Sequence, residues 1–253
     1  MRKFIAAIRF LTIIPVPGRL GTEQTDISGS LLFFPVVGFI IGAVAAGFSL
    51  LFLQLFAPAI AAVLTIIILL TASGGLHIDG LCDSADGFLS SRPREQMLVI
   101  MRDSKIGVMG VMAIILVVGL KIAALASVEQ SSFWRAVWLA PIAGRCGVLV
   151  MMAVLPYVRS EGGLASMFYK NSRKNAAFGV IAFLFTVAWL IAGSAGVIAA
   201  GISFGFILIF AGYCRYKING TTGDTLGAGC ELAETSVLLT FAAEPIMAMI
   251  EAR

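Results

Sequence analysis

Charge is what this sequence has least of. Only 13% of its 253 residues are Asp, Glu, Lys or Arg, whereas 59% are hydrophobic. Soluble domains carry about 25% charged and about 45–50% apolar residues, and need more polar surface than this to cover themselves in water. A soluble globular domain is therefore excluded. Histidine is nearly missing, with His77 alone, and Cys82, Cys146, Cys214 and Cys230 show no CxxC spacing. Those gaps argue against a zinc site, and cysteines in or beside apolar runs read as free buried thiols rather than disulfides. No basic stripe with interleaved aromatics accompanies the net charge of +4, so nucleic acid is not an expected partner. The N-terminal apolar stretch is interrupted by Arg9 and lacks a small-residue cleavage site, which argues against a cleaved signal peptide. No repeat, low-complexity tract or linker divides the chain, which reads as one domain, 1–253.

What is present is a succession of apolar blocks, with a mean hydropathy of +0.99. They run over 31–56, 58–74, 107–128, 133–155, 176–193, 196–212 and 235–250. A membrane-crossing helix needs about 20 residues. The pattern predicts an all-α polytopic membrane bundle of about seven transmembrane helices, the fifth and sixth joined by a small-residue turn near Gly193. Residues 3–14 form an expected amphipathic helix on the interface, ended by Pro15.

The basic residues orient the bundle. Fourteen of the 18 Lys and Arg fall on the N-terminus and on the 75–106, 156–175 and 213–234 loops. The positive-inside rule puts those segments in the cytoplasm, with the chain in the inner (plasma) membrane. Inside the blocks, Arg145 must face an interior cavity or a partner, because a mid-membrane charge costs about 2.5–3.5 kcal/mol. It could pair with a carboxylate or hold a substrate phosphate. Lys121 and Arg135 are expected to snorkel outward, and Glu244 before Pro245 to be neutral or to snorkel.

Chemistry concentrates in the cytoplasmic loops. GGLHIDGLCDSADGF at 74–88 spaces Asp79, Asp83 and Asp86 four and three apart. At about 100° per residue on a helix, the three carboxylates fall within about 60°. They repel one another unless a cation sits between them, and such oxygen ligands suit Mg²⁺ or Mn²⁺ together with substrate phosphates. The plainer reading is a solvated acidic loop. His77 is a candidate general base or phosphate contact, against a structural donor at a helix end. MRDSKIGVMG at 101–110 adds Asp103, Arg102 and Lys105, which could serve the site or merely cap and anchor the next helix. NGTTGDTLGAGCELAE at 219–234 surrounds Asp224 with glycines and with Asn219, Thr221 and Thr222, followed by Glu231 and Glu234. Gly-rich backbone with hydroxyls suits phosphate and the acid suits a metal, although no GxxxxGK[ST] P-loop is present. A flexible connector is the bland alternative.

Taken together, GGLHIDGLCDSADG, MRDSKIGVMG and NGTTGDTLGA, with FLTIIPVP and FFPVVGFIIG near the N-terminus, resemble the cobalamin synthase family, the adenosylcobinamide-GDP ribazoletransferases, over nearly the whole chain. The resemblance implies a membrane transferase that joins α-ribazole, or its 5′-phosphate, to adenosylcobinamide-GDP, releases GMP and needs Mg²⁺. On that expectation Asp79, Asp83 and Asp86 hold Mg²⁺, and Asp224 completes a second site or orients the nucleophile. Arg102, Lys105 and Arg145, with Asn219 and Thr222, would meet the substrate. Asp103 or His77 would accept the proton, and Asp83 would carry the reaction. Two rivals stand beside it. A CDP-alcohol phosphotransferase would need DGxxAR, and Asp79–Gly80 is followed by Leu81, Cys82 and Asp83 instead. A secondary transporter would place its acids near the bilayer midplane rather than at cytoplasmic ends. A homo-oligomer is left open.

Overall fold

The protein is described here as a computed structural model over residues 1–159, 163, 165–169 and 174–243. Among these described residues every regular element is helical, and the one extended feature is an isolated bridge between Tyr157 and Thr221. In chain order the helices are α1 (Arg2–Leu11), α2 (Gln24–Ser28), α3 (Phe34–Leu55), α4 (Pro58–Ala72), α5 (Leu76–Phe88), α6 (Arg94–Ile100), α7 (Val108–Ser127), α8 (Gln130–Val154), α9 (Ser166–Tyr169), α10 (Lys174–Ile218) and α11 (Gly223–Ala242).

Among the described residues, four segments are long and apolar enough to cross a membrane: 31–55, 108–127, 130–154 and 177–218. Joining α4 to α5 raises the number to five, but the two are bent by 88°. The second leg thus lies nearly at a right angle to the first. Gly74 and Gly75 make the bend, with φ of +59° and +76°, values at which a Cβ would be strained. The 45-residue α10 would be about 67 Å long if straight, over twice the hydrocarbon thickness of about 30 Å. It breaks at Ala192 and Gly193, the latter at φ 56° and ψ −136°. Ile181 and Leu184 before the break line the same small gap as Ser203, Phe204 and Ile207 after it, so the helix folds back on itself.

The core sits around α8, whose apolar window is 83% buried, against 22% for that of α7. Glycines let backbones approach there. A Cβ on Gly38 would lie 2.6 Å from the Pro141 carbonyl oxygen, and one on Gly42 would lie 2.3 Å from that of Trp138. This is the small-residue packing by which membrane helices associate without a hydrophobic drive. Helix α1 buries Ala6, Ala7 and Leu11 and exposes Arg2 and Lys3, as an amphipathic segment should. It ends at Thr12, one turn before Pro15, where Ile13 N–H instead bonds the Ala72 carbonyl at 3.0 Å.

Three expectations need correction. Both acidic motifs lie on helices rather than loops: residues 76–88 form α5, and the 219–234 segment enters α11 at Gly223, well before the expected 235. Thr222 caps that helix reciprocally with Thr225, which outweighs the four glycines nearby. Lys121 does not snorkel; it is 1% exposed and ion-paired inside the bundle. Lys170, Arg173, Glu244, Pro245 and the end of the 235–250 block lie outside the described residues.

Candidate active site at the crossing of two helices

The site begins with two glycines. A Cβ on Gly80 of α5 would lie 2.7 Å from the backbone oxygen of Asp224 and 3.2 Å from Cα of Gly227 on α11. Only bare backbone permits so close a crossing, and it sets Asp79 and Asp83 beside Asp224 although about 140 residues separate them in sequence. Asp224 is ion-paired with Arg159 and accepts from the Thr222 hydroxyl at 3.1 Å. Arg159 also donates to the Met101 carbonyl at 3.3 Å, tying in the turn that carries Arg102, Asp103 and Lys105. Arg94 Nε donates to the Ile218 carbonyl at 2.8 Å and Lys217 to that of Phe88 at 3.0 Å. The three motif segments thus gather at one end of the bundle.

Asp79 is exposed and Asp83 half-buried. Among the described residues neither makes a hydrogen bond or an ion pair. Burial, and then the Asp79, Asp224 and Asp86 carboxylates, push Asp83 up to about 6, with only Arg159 acting the other way. Asp86 differs: its two oxygens accept from the backbone N–H groups of Gly107 at 2.7 Å and Gly110 at 2.8 Å, where α7 begins. It caps that helix and interacts favourably with its dipole. Among the described residues no group of three or more His, Cys, Asp or Glu side chains is gathered tightly enough to hold a metal ion by itself. The acids form an under-neutralised negative patch. That suits Mg²⁺, which typically binds through one or two carboxylates and completes its shell with water and substrate phosphate.

Beside the patch opens a cavity of about 350 Å³. Its lining combines the polar residues His77, Asp79, Tyr157, Arg159 and Asp224 with the apolar Phe10, Phe34, Val148, Met152 and Phe168. A cavity of this size and mixed lining fits a small organic ligand with an apolar body and an anionic group.

Arg102, Asp103 and Lys105 are exposed on the turn between α6 and α7, where Asp103 accepts from the Lys105 N–H at 3.1 Å. Asn219 takes φ 59° as α10 ends, a left-handed position that asparagine tolerates. Thr222 is fully buried; its hydroxyl accepts from Thr225 N–H and donates to Asp224, so it positions that acid. Arg145 is 2% exposed and pairs with Glu234, the first of its two expected partners. Glu231 and Glu234 leave the acidic patch and face Lys121 inside the bundle. Arg159 was not singled out from the sequence for the site. A lone arginine just past a helix end carries no signal in one sequence beyond its charge.

The family described as cobalamin-5-phosphate synthase matches residues 3–242. The adenosylcobinamide-GDP ribazoletransferase of Acetivibrio thermocellus is 38% identical over 247 residues, covering 95% of this chain and 97% of its own. Those of Brevibacillus brevis and Clostridium acetobutylicum are each 36% identical, covering 94% of this chain and 97% and 95% of theirs. No solved structure matches.

Proposed function

The chain belongs to the cobalamin-5-phosphate synthase family, and we propose that it transfers the adenosylcobinamide phosphate moiety of adenosylcobinamide-GDP to α-ribazole, or its 5′-phosphate, releasing GMP. One observation carries this reading: α5 crosses α11 with Asp79 and Asp83 near Asp224, and Asp79 and Asp224 line a largely apolar cavity. In the reaction a ribazole hydroxyl oxygen bonds to a diphosphate phosphorus, and the bond from that phosphorus to the GMP oxygen breaks. Such a step needs alignment and charge neutralisation more than a covalent nucleophile.

Each residue has a task in this scheme. Asp79 and Asp83 would hold Mg²⁺ directly, and Asp224, ion-paired with Arg159 across the helix crossing, would reach the ion through its bound water. When bound, that ion would neutralise phosphate oxygens and the departing GMP. Arg159 holds Asp224 in place, while Asp86 fixes the start of α7 and hence the 101–107 turn. On that turn Arg102 and Lys105 would meet phosphate from the open side, and Asp103 would accept the hydroxyl proton. Phe10, Phe34 and Phe168 would take the flat apolar base and exclude water. We further place seven crossings in the inner membrane, including both legs of α10, with α1 on the cytoplasmic interface, as the distribution of basic residues favours.

The test is incubation of the purified protein with adenosylcobinamide-GDP and α-ribazole, with and without Mg²⁺. GMP should appear only with the metal. No GMP in either condition, or CMP released from a CDP-alcohol instead, would overturn the assignment.

A further inference from the structure

Next to the cavity-lining His77 lies a buried ionic chain that has no task in the proposed reaction. Lys121 on α7 sits 2.7 Å from Glu231 Oε2 and 2.7 Å from Glu234 Oε2, both on α11. Arg145 on α8 pairs with the other oxygen of Glu234, and its Nη2 lies 3.4 Å from Nδ1 of His77 on α5. Two cations face two carboxylates, so the chain is balanced and needs no outside ion.

Its last link dictates a tautomer. A guanidinium only donates, so the His77 Nδ1 facing it must accept through a lone pair. A neutral imidazole has one donor and one acceptor nitrogen, which puts the hydrogen on Nε2. An Nδ1 carrying a hydrogen would set N–H against N–H at that contact. His77 is 4% exposed and lines the cavity, and among the described residues its Nε2 has no partner.

We infer that His77 is a fixed hydrogen-bond donor, presenting Nε2–H to an anionic oxygen of a phosphate-bearing ligand in the cavity. Arg145, backed by Glu234 and Lys121, is the positioning residue that locks the tautomer. A nitrogen already carrying its hydrogen cannot take the proton of the attacking hydroxyl, which removes His77 as a general base. The ligand's chemistry rests on the proposed function; the tautomer does not.

The chain has a single histidine, so selective ¹⁵N-histidine labelling gives one imidazole to observe. The wild-type spectrum should show a protonated, pyrrole-type Nε2 and an unprotonated Nδ1, and GDP with Mg²⁺ should shift the Nε2 resonance. Arg145→Lys, which still donates, should keep that pattern, and Arg145→Met should move it toward a mixture of tautomers. A protonated Nδ1, two protonated nitrogens, or an Nε2 unmoved by GDP would overturn the inference. Kinetics give a second readout. His77→Gln, whose amide reaches the Nε2 position, should stay within about tenfold of wild-type kcat/KM, while the shorter His77→Asn should lose roughly 10- to 100-fold. A general base would instead lose about 10²–10⁴-fold in both variants. Because the spectrum needs no turnover, GMP release from the same preparation reports separately on the proposed reaction.

Discussion

Asp83 has three carboxylates near it and one guanidinium against them, and that imbalance should be measurable in the metal-free protein. Its folded pKa is raised from 3.8 to about 6, so between those values the folded state binds more protons than the unfolded chain. Stability should therefore rise as pH falls through about 6 toward 3.8 and be flat above that window. Thermal melts in a chelating buffer check this, and Asp83→Asn should abolish the slope and raise the melting temperature at neutral pH. The same variant should cut turnover by about 100-fold or more while leaving the protein inserted. Near-normal turnover would refute its role with the metal. Asp86→Asn should act differently, weakening the start of α7, because both Asp86 oxygens are held by backbone N–H groups.

At the scale of elements, the crossing of α5 on α11 depends on Gly80. Gly80→Ala must push the helices apart or shift Asp224, since the new Cβ would lie 2.7 Å from a backbone oxygen. The expected cost is about 1–3 kcal/mol of stability, by analogy with overpacked cores, with a larger fall in activity than in folded yield. Chemical denaturation in detergent beside a turnover assay separates the two. The sequence made the acids of α5 legible because their four-and-three spacing stands out. It misread the 219–234 segment as a loop, since glycine density argues against a helix while the Thr222–Thr225 capping box that nucleates α11 is quiet in composition. Lys121 was misread for a related reason. Hydropathy places it in an apolar run but cannot reveal that Glu231 and Glu234 turn toward it from another helix.

Across the whole molecule, the helical architecture and the long apolar helices among the described residues follow directly from composition, because lipid leaves backbone few options other than helix. Which helix faces which does not, and the interior charges show the consequence. Lys121→Met should destabilise by about 3–5 kcal/mol, because it leaves buried Glu231 and Glu234 with Arg145 alone. Lys121→Met with Glu231→Gln should recover much of that loss, measured by inactivation half-life in detergent. The central claim is that acids from two distant helices grip one divalent cation at their crossing. Mn²⁺ affinity, followed by electron paramagnetic resonance in the wild type, Asp83→Asn and Asp224→Asn, tests it most directly. The account predicts that either substitution alone weakens binding at least about tenfold; an Asp224→Asn protein that binds Mn²⁺ as tightly as the wild type would contradict it.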